Sequence, residues 1–148
     1  MRALSVACLA IAAAALLSAG AGRASAPRIL IVSGKPLPSQ VAISDWPAIF
    51  KLVEGVLPAR AAPRAGLAGR PRLKISMFWG PRWIDYLKEG NRASALRPRQ
   101  ADQSGSFYPA WRGRPALIDL GWAGRWPRVV PAKALAILDR FGVPTKLG

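Results

Sequence analysis

The chain contains no histidine, and its one cysteine, Cys8, lies in an apolar N-terminal segment. Without histidine there is no Ser-His-Asp triad and no imidazole base. With no cysteine beyond residue 8, the body of the chain offers no disulfide, thiol nucleophile, cysteine-ligated zinc, iron–sulfur cluster or thiol redox couple. A haem would lack its usual axial ligands. Gly34-Lys35 has no glycine five residues before the lysine and no Ser or Thr after it, so it is not a P-loop. Neither a G-x-G-x-x-G fingerprint nor an S-x-x-K spacing occurs. The expectation is therefore no cofactor and no metal.

Acids are scarce as well. Seven Asp plus Glu stand against 22 Lys plus Arg, a formal charge of +15. Such a field attracts polyanions without selecting among them. Arginine outnumbers lysine 16 to 6, in a chain also rich in Ala, Gly and Pro. That bias accounts for Arg over Lys better than for the shortage of acids. Among the few carboxylates, Asp85 and Glu89 stand four apart, on one face of a helix. Such a pair could work as acid and base or hold a divalent ion. With Arg82, Lys88 and Arg92 around them, they read instead as a solvated ion-pair face. Asp119, between Ile118 and Leu120 on a strand, reads as the partner of an arginine.

The N-terminus carries the strongest signal. Met1-Arg2 is followed by 20 uncharged residues, ALSVACLAIAAAALLSAGAG, then Arg23 and Ala24-Ser25-Ala26. A basic start, an apolar middle and an A-x-A end make residues 1–26 a secretory signal peptide. Cleavage could fall after Ala21, Ala24 or Ala26, the last placing Pro27 beside the cut. The alternative is a retained anchor, since about 20 apolar residues can span a bilayer. The segment is mostly weakly hydrophobic alanine, which favours cleavage and a periplasmic or extracellular protein. Removing Arg2 and Arg23 leaves 20 basic and seven acidic residues, a net +13. Residues 27–148 are then one domain that coheres by core packing alone.

Along that domain, Arg28 to Val32 (RILIV) is a buried strand, and Val41 to Ile43 a second one. Ser44 or Asp45 caps a helix over 45–57, with Pro47 in its first turn and Trp46, Phe50 and Val53 inward. Residues 58–72, PARAAPRAGLAGRPR, form a basic loop that is expected to be mobile. Leu73 to Trp79 alternates as a strand, with Leu73, Ile75, Met77 and Trp79 inward and Lys74 and Ser76 outward. Gly80-Pro81 opens a short helix carrying Trp83, Ile84, Tyr86 and Leu87 inward. Residues 90–105 read as polar and irregular. A hairpin follows, Ser106 to Trp111 and Pro115 to Leu120, about a three-residue turn at Arg112-Gly113-Arg114. It contributes Phe107, Trp111, Leu117 and Ile118 to the core. A loop over 121–128 and a last helix over about 131–141, capped by Gly142, complete the domain. This order predicts a small α+β two-layer sandwich, a mainly antiparallel sheet with about three helices.

GSFYPAWRGRPALIDLGWAGRWPR, residues 105–128, combines five aromatics and four arginines with one acid. Arginine forks bind phosphate and sulfate, and exposed aromatics stack on sugars or bases. The candidate binding residues are Arg112, Arg114, Arg125, Arg128, Trp122 and Trp126. Export argues against nucleic acid. The partners to expect are an anionic envelope component (a lipid head group or acidic polysaccharide) or an acidic protein. Equally, tryptophans in a domain of this size can be core, with guanidinium groups over their edges. The functional expectation is an exported, non-enzymatic binding or accessory protein. The alternatives are a small hydrolase-like enzyme using carboxylates, or a structural subunit of an envelope complex.

Overall fold

The computed structural model describes residues 26–121 and 126–148; the expected signal peptide up to residue 25 lies outside the described residues. The RILIV run becomes β1 (Ile29–Ser33), which pairs antiparallel with β2 (Val41–Ile43) on one side and β3 (Leu73–Phe78) on the other. Beyond β3 come β4 (Gln103–Tyr108), β6 (Leu117–Asp119) and β7 (Arg128–Val129). The sheet order is β2-β1-β3-β4-β6-β7, and every pairing is antiparallel. Two further short strands, β5 (Ala110–Trp111) and β8 (Lys146–Leu147), pair parallel with each other.

Three helices complete an α+β fold. Helix α1 (Trp46–Val56) starts at Asp45, whose side chain accepts from the Ala48 N–H at 3.1 Å. That bond satisfies one of the donors orphaned at any helix start. Its buried stripe is Ile49, Leu52, Val53 and Val56, at helical spacing. Trp46 and Phe50, expected inward, are only half-buried and stack on each other at 5.2 Å between ring centroids. They flank the stripe, because the sheet beneath meets the helix along the Ile49–Val56 line.

Helix α3 (Ala132–Arg140) lies beside α1 and buries Ala134 and Leu138. A Cβ on Gly55 would stand 3.7 Å from the Ala134 Cβ, so small residues on both helices let them approach. Together the two helices cover one sheet face. Leu30, Val32, Leu73, Ile75, Met77, Phe107 and Ile118 of the sheet join them in the main core. Each fully buried side chain of that size contributes about 1.5–3 kcal/mol.

The opposite face is covered at one end only. Helix α2 (Pro81–Lys88) sets Trp83 edge-on against Phe78, at 4.9 Å, over Ile29, Ile31, Ala93 and Leu96. This second cluster draws Ala93 and Leu96 from the stretch read as irregular, where 93–95 and 98–100 form short 3-10 turns. It also corrects one expectation. Lys74 is exposed as the alternation requires, but Ser76, also expected outward, is fully buried on this second face. Period-2 patterning sorts residues between faces; it does not tell whether a face is wet.

The hairpin forms, with changes at both ends. Phe107, Leu117 and Ile118 are buried as expected. Strand β4 begins at Gln103, earlier than expected. The turn is tighter: Trp111 pairs directly with Arg114, leaving Arg112 (φ 48°) and Gly113 (φ 74°) as a two-residue turn. Positive φ at both central residues suits the twist of the strands they join. Trp111, expected in the core, is half-buried in β5.

Candidate functional site

Building upward from the arginines, the central relationship lies between two segments far apart in sequence. The 58–72 loop runs back along the outer edge of the sheet. The Ala62 N–H donates to the Pro127 carbonyl and the Val129 N–H to the Arg60 carbonyl, both at 2.8 Å. Ala61 thereby bridges to Arg128, extending the sheet past its last strand. Further along, Arg70 turns inward and is only 8% exposed. Its Nη2 donates to the carbonyls of Pro109 at 3.1 Å and Pro115 at 2.6 Å, clamping loop to hairpin.

Between them runs an open groove of about 420 Å³, bordered by Arg60, Arg70 and Arg114, with Pro115, Leu117 and Val129 among its apolar lining. No acidic residue lines it. Burial pushes the Arg70 guanidinium below its ordinary pKa, and the neighbouring Arg114 cation pushes it further the same way; Tyr108 pulls in the opposite direction. Among the described residues no carboxylate pairs with Arg60, Arg70 or Arg114.

The hairpin residues singled out from the sequence fall in different places. Arg112 is exposed, with its guanidinium 4.4 Å above the Trp111 ring. Arg114 is exposed, with Nη1 3.5 Å from the Gly66 carbonyl of the loop. Arg128 is half-buried in β7, and its Nη1 donates to the Ala59 carbonyl at 2.9 Å. Trp126 is 49% exposed. Trp122 and Arg125 lie outside the described residues. The loop arginines Arg60 and Arg70, which the sequence reading left on a separate segment, share a groove with Arg114. A buried arginine in a low-complexity run leaves no local signal, because its partners are carbonyls 39 and 45 residues away.

The second sheet face has another polar patch. Cross-strand register places Lys74, Ser106 and Asp119 side by side on β3, β4 and β6. Asp119 pairs with Arg64 at 3.5 Å and accepts the Gly121 N–H at 2.9 Å. Its arginine thus comes from the loop, not from the hairpin turn. Among the described residues Ser106 makes no side-chain hydrogen bond to Lys74 or Asp119, so nothing there activates a hydroxyl.

The acids are dispersed. Asp85 and Glu89 are exposed on α2, and neither makes an ion pair among the described residues. Arg82, expected on their face, pairs with Asp102. Asp102 is the acid that sequence reasoning missed. It accepts the Trp79 N–H at 2.7 Å and the Trp83 indole N–H at 2.8 Å, as well as the Arg82 guanidinium. Desolvation works to raise its pKa, but those two hydrogen bonds and the Arg82 charge outweigh it and hold the carboxyl below the usual range. Its work is structural: it ties the start of α2 to the end of β3. Among the described residues no group of three potential metal ligands occurs, and no helix is long and apolar enough to cross a membrane.

No protein-family model, no curated protein and no solved structure matches this chain. Function must be argued from the groove and the charge around it.

Proposed function

We propose that this is an exported, non-enzymatic binding domain that contacts an anionic component of the cell envelope through its arginine-rich edge. The observation that carries the reading is the groove itself, where Arg60, Arg70 and Arg114 meet with no acid to neutralise them. Arg112 and Trp126 stand exposed on neighbouring segments and extend the basic, aromatic surface. An uncompensated cluster of guanidinium groups concentrates anions locally and speeds their capture. Its effect falls with ionic strength over a Debye length of about 8–10 Å.

The test is binding to anionic vesicles, and in parallel to an acidic polysaccharide, across a salt series. Wild type is compared with Arg112→Gln/Arg114→Gln and with Lys51→Gln/Lys133→Gln. The control lysines border a different groove, beside α1 and α3, and remove the same charge. The expected outcome is a steep salt dependence and a larger loss in the arginine variant. Equal losses would leave only net charge at work and would sink the proposal.

A further inference from the structure

We propose that the groove beneath the 60–70 loop is a discrete site for a phosphate monoester. Arg70, Arg114 and Arg60 hold the phosphate, and Leu117 and Val129 receive the organic part of the ligand. The inference rests on the anion-binding reading above and specifies its ligand.

Arg70 supplies the main argument. Its Nη2 is committed to two carbonyls, and its Nε is buried without a partner. Nη1 makes no hydrogen bond and is not among the buried atoms, so it is the solvent-accessible end of a guanidinium that lines the groove. A buried arginine anchored in this way is already ordered, so binding through Nη1 costs little further side-chain entropy. Arg114 stands close enough for its charge to bear on Arg70. Two such cations with no carboxylate repel each other, and a bound dianion would turn that repulsion into two attractions.

A phosphate monoester carries close to two negative charges at neutral pH and three oxygens that accept hydrogen bonds. It can therefore engage three guanidinium groups where a single carboxylate has two oxygens to offer. The rest of the lining is apolar: Ala61, Ala62, Pro63, Pro115, Leu117 and Val129. A polysaccharide would leave that surface unused. A phosphate ester bearing an apolar group would cover it.

The experiment follows the arginine side-chain N–H signals by NMR as inorganic phosphate is added to the full domain. The Arg70 and Arg114 signals should shift saturably, and equimolar chloride should not reproduce the effect. Arg60→Gln/Arg114→Gln should weaken phosphate affinity about tenfold or more, as the loss of one good charged contact implies. Arg112→Gln/Arg140→Gln, at equal charge, should leave it unchanged. Arg70 is probed by its own signal, because replacing it would also release the two carbonyls it holds. Vesicles carrying phosphatidic acid, a monoester, should bind more tightly than vesicles carrying phosphatidylglycerol, a diester, at matched surface charge. A soluble phosphate monoester binding as tightly as the phosphatidic acid vesicles would identify a free ester as the ligand; tighter vesicle binding would identify a lipid. Vesicle binding without any response at Arg70 would overturn the groove site and leave the basic surface standing. Binding to no anion at all would overturn both.

Discussion

Gly105 and Asp119 approach so closely across the β4–β6 pair that a Cβ on Gly105 would lie 2.3 Å from the Asp119 carbonyl oxygen. The obstacle is backbone on a neighbouring strand, so no side-chain rotation can relieve it. Gly105→Ala must push β4 away from β6, where Phe107 and Ile118 are fully buried. The expected cost is about 1–3 kcal/mol or more, the range for overpacking a tight site. Chemical denaturation measures it; a variant as stable as wild type would refute the close approach.

Asp102 sets the acid limb of the stability curve around α2. Its folded pKa is depressed, so its contribution is fully present above the unfolded value of about 3.9 and is lost as pH falls through the lower folded value. Asp102→Asn removes the charge that Arg82 and the two N–H donors share. At about 30% side-chain exposure the expected loss near neutral pH is about 1–2 kcal/mol. The gap in Tm between wild type and variant should close as pH drops below about 4. A gap independent of pH would contradict the assignment.

Within α1 the burial pattern ranks two substitutions. Ile49 is fully buried, while Phe50 is half-buried at the margin. Ile49→Ala should cost about 2–5 kcal/mol, and Phe50→Ala should cost less despite removing the larger side chain. Denaturant midpoints of the two variants settle the order.

The site of signal removal can be narrowed. Ala26 is only 6% exposed, and the Arg28 N–H donates to the Phe78 carbonyl at 2.8 Å. Cleavage after Ala26 would discard a packed residue and put Pro27 beside the cut. The mature chain should therefore begin at Gly22 or Ser25. N-terminal sequencing of the protein from its native host reads this directly; an intact Met1 would overturn export.

The 58–72 loop should exchange its amide protons unevenly. Ala62 and Val129 donate to carbonyls across the sheet edge and should be protected. Ala65 and Gly69, exposed or near-exposed between those anchors, should exchange fast. Hydrogen exchange followed by NMR distinguishes this pattern from a loop that is mobile throughout.

Much of this domain was legible before any coordinates. The RILIV run, the Asp45 cap ahead of Pro47, the Leu73–Ile75–Met77 alternation and the stop at Gly142 are local signals. Capping, backbone φ and side-chain period act within a few residues, so they mark elements and their inward faces directly. The absence of histidine, and of cysteine past residue 8, likewise excludes its chemistry whatever the fold. The short strands β5, β7 and β8 had no such signal, because two residues cannot display a period.

Which cations meet which was decided only by the tertiary structure. Arg114 and Arg70 lie 44 positions apart, and composition places one in a hairpin and the other in a proline-rich loop. They become neighbours because that loop returns along β7 and Arg70 is drawn in to satisfy two prolyl carbonyls. Asp119 finds Arg64 by the same return. The sequence determined how many charges there would be and which elements would carry them. Their pairing depended on long-range packing and on the need to satisfy buried backbone groups.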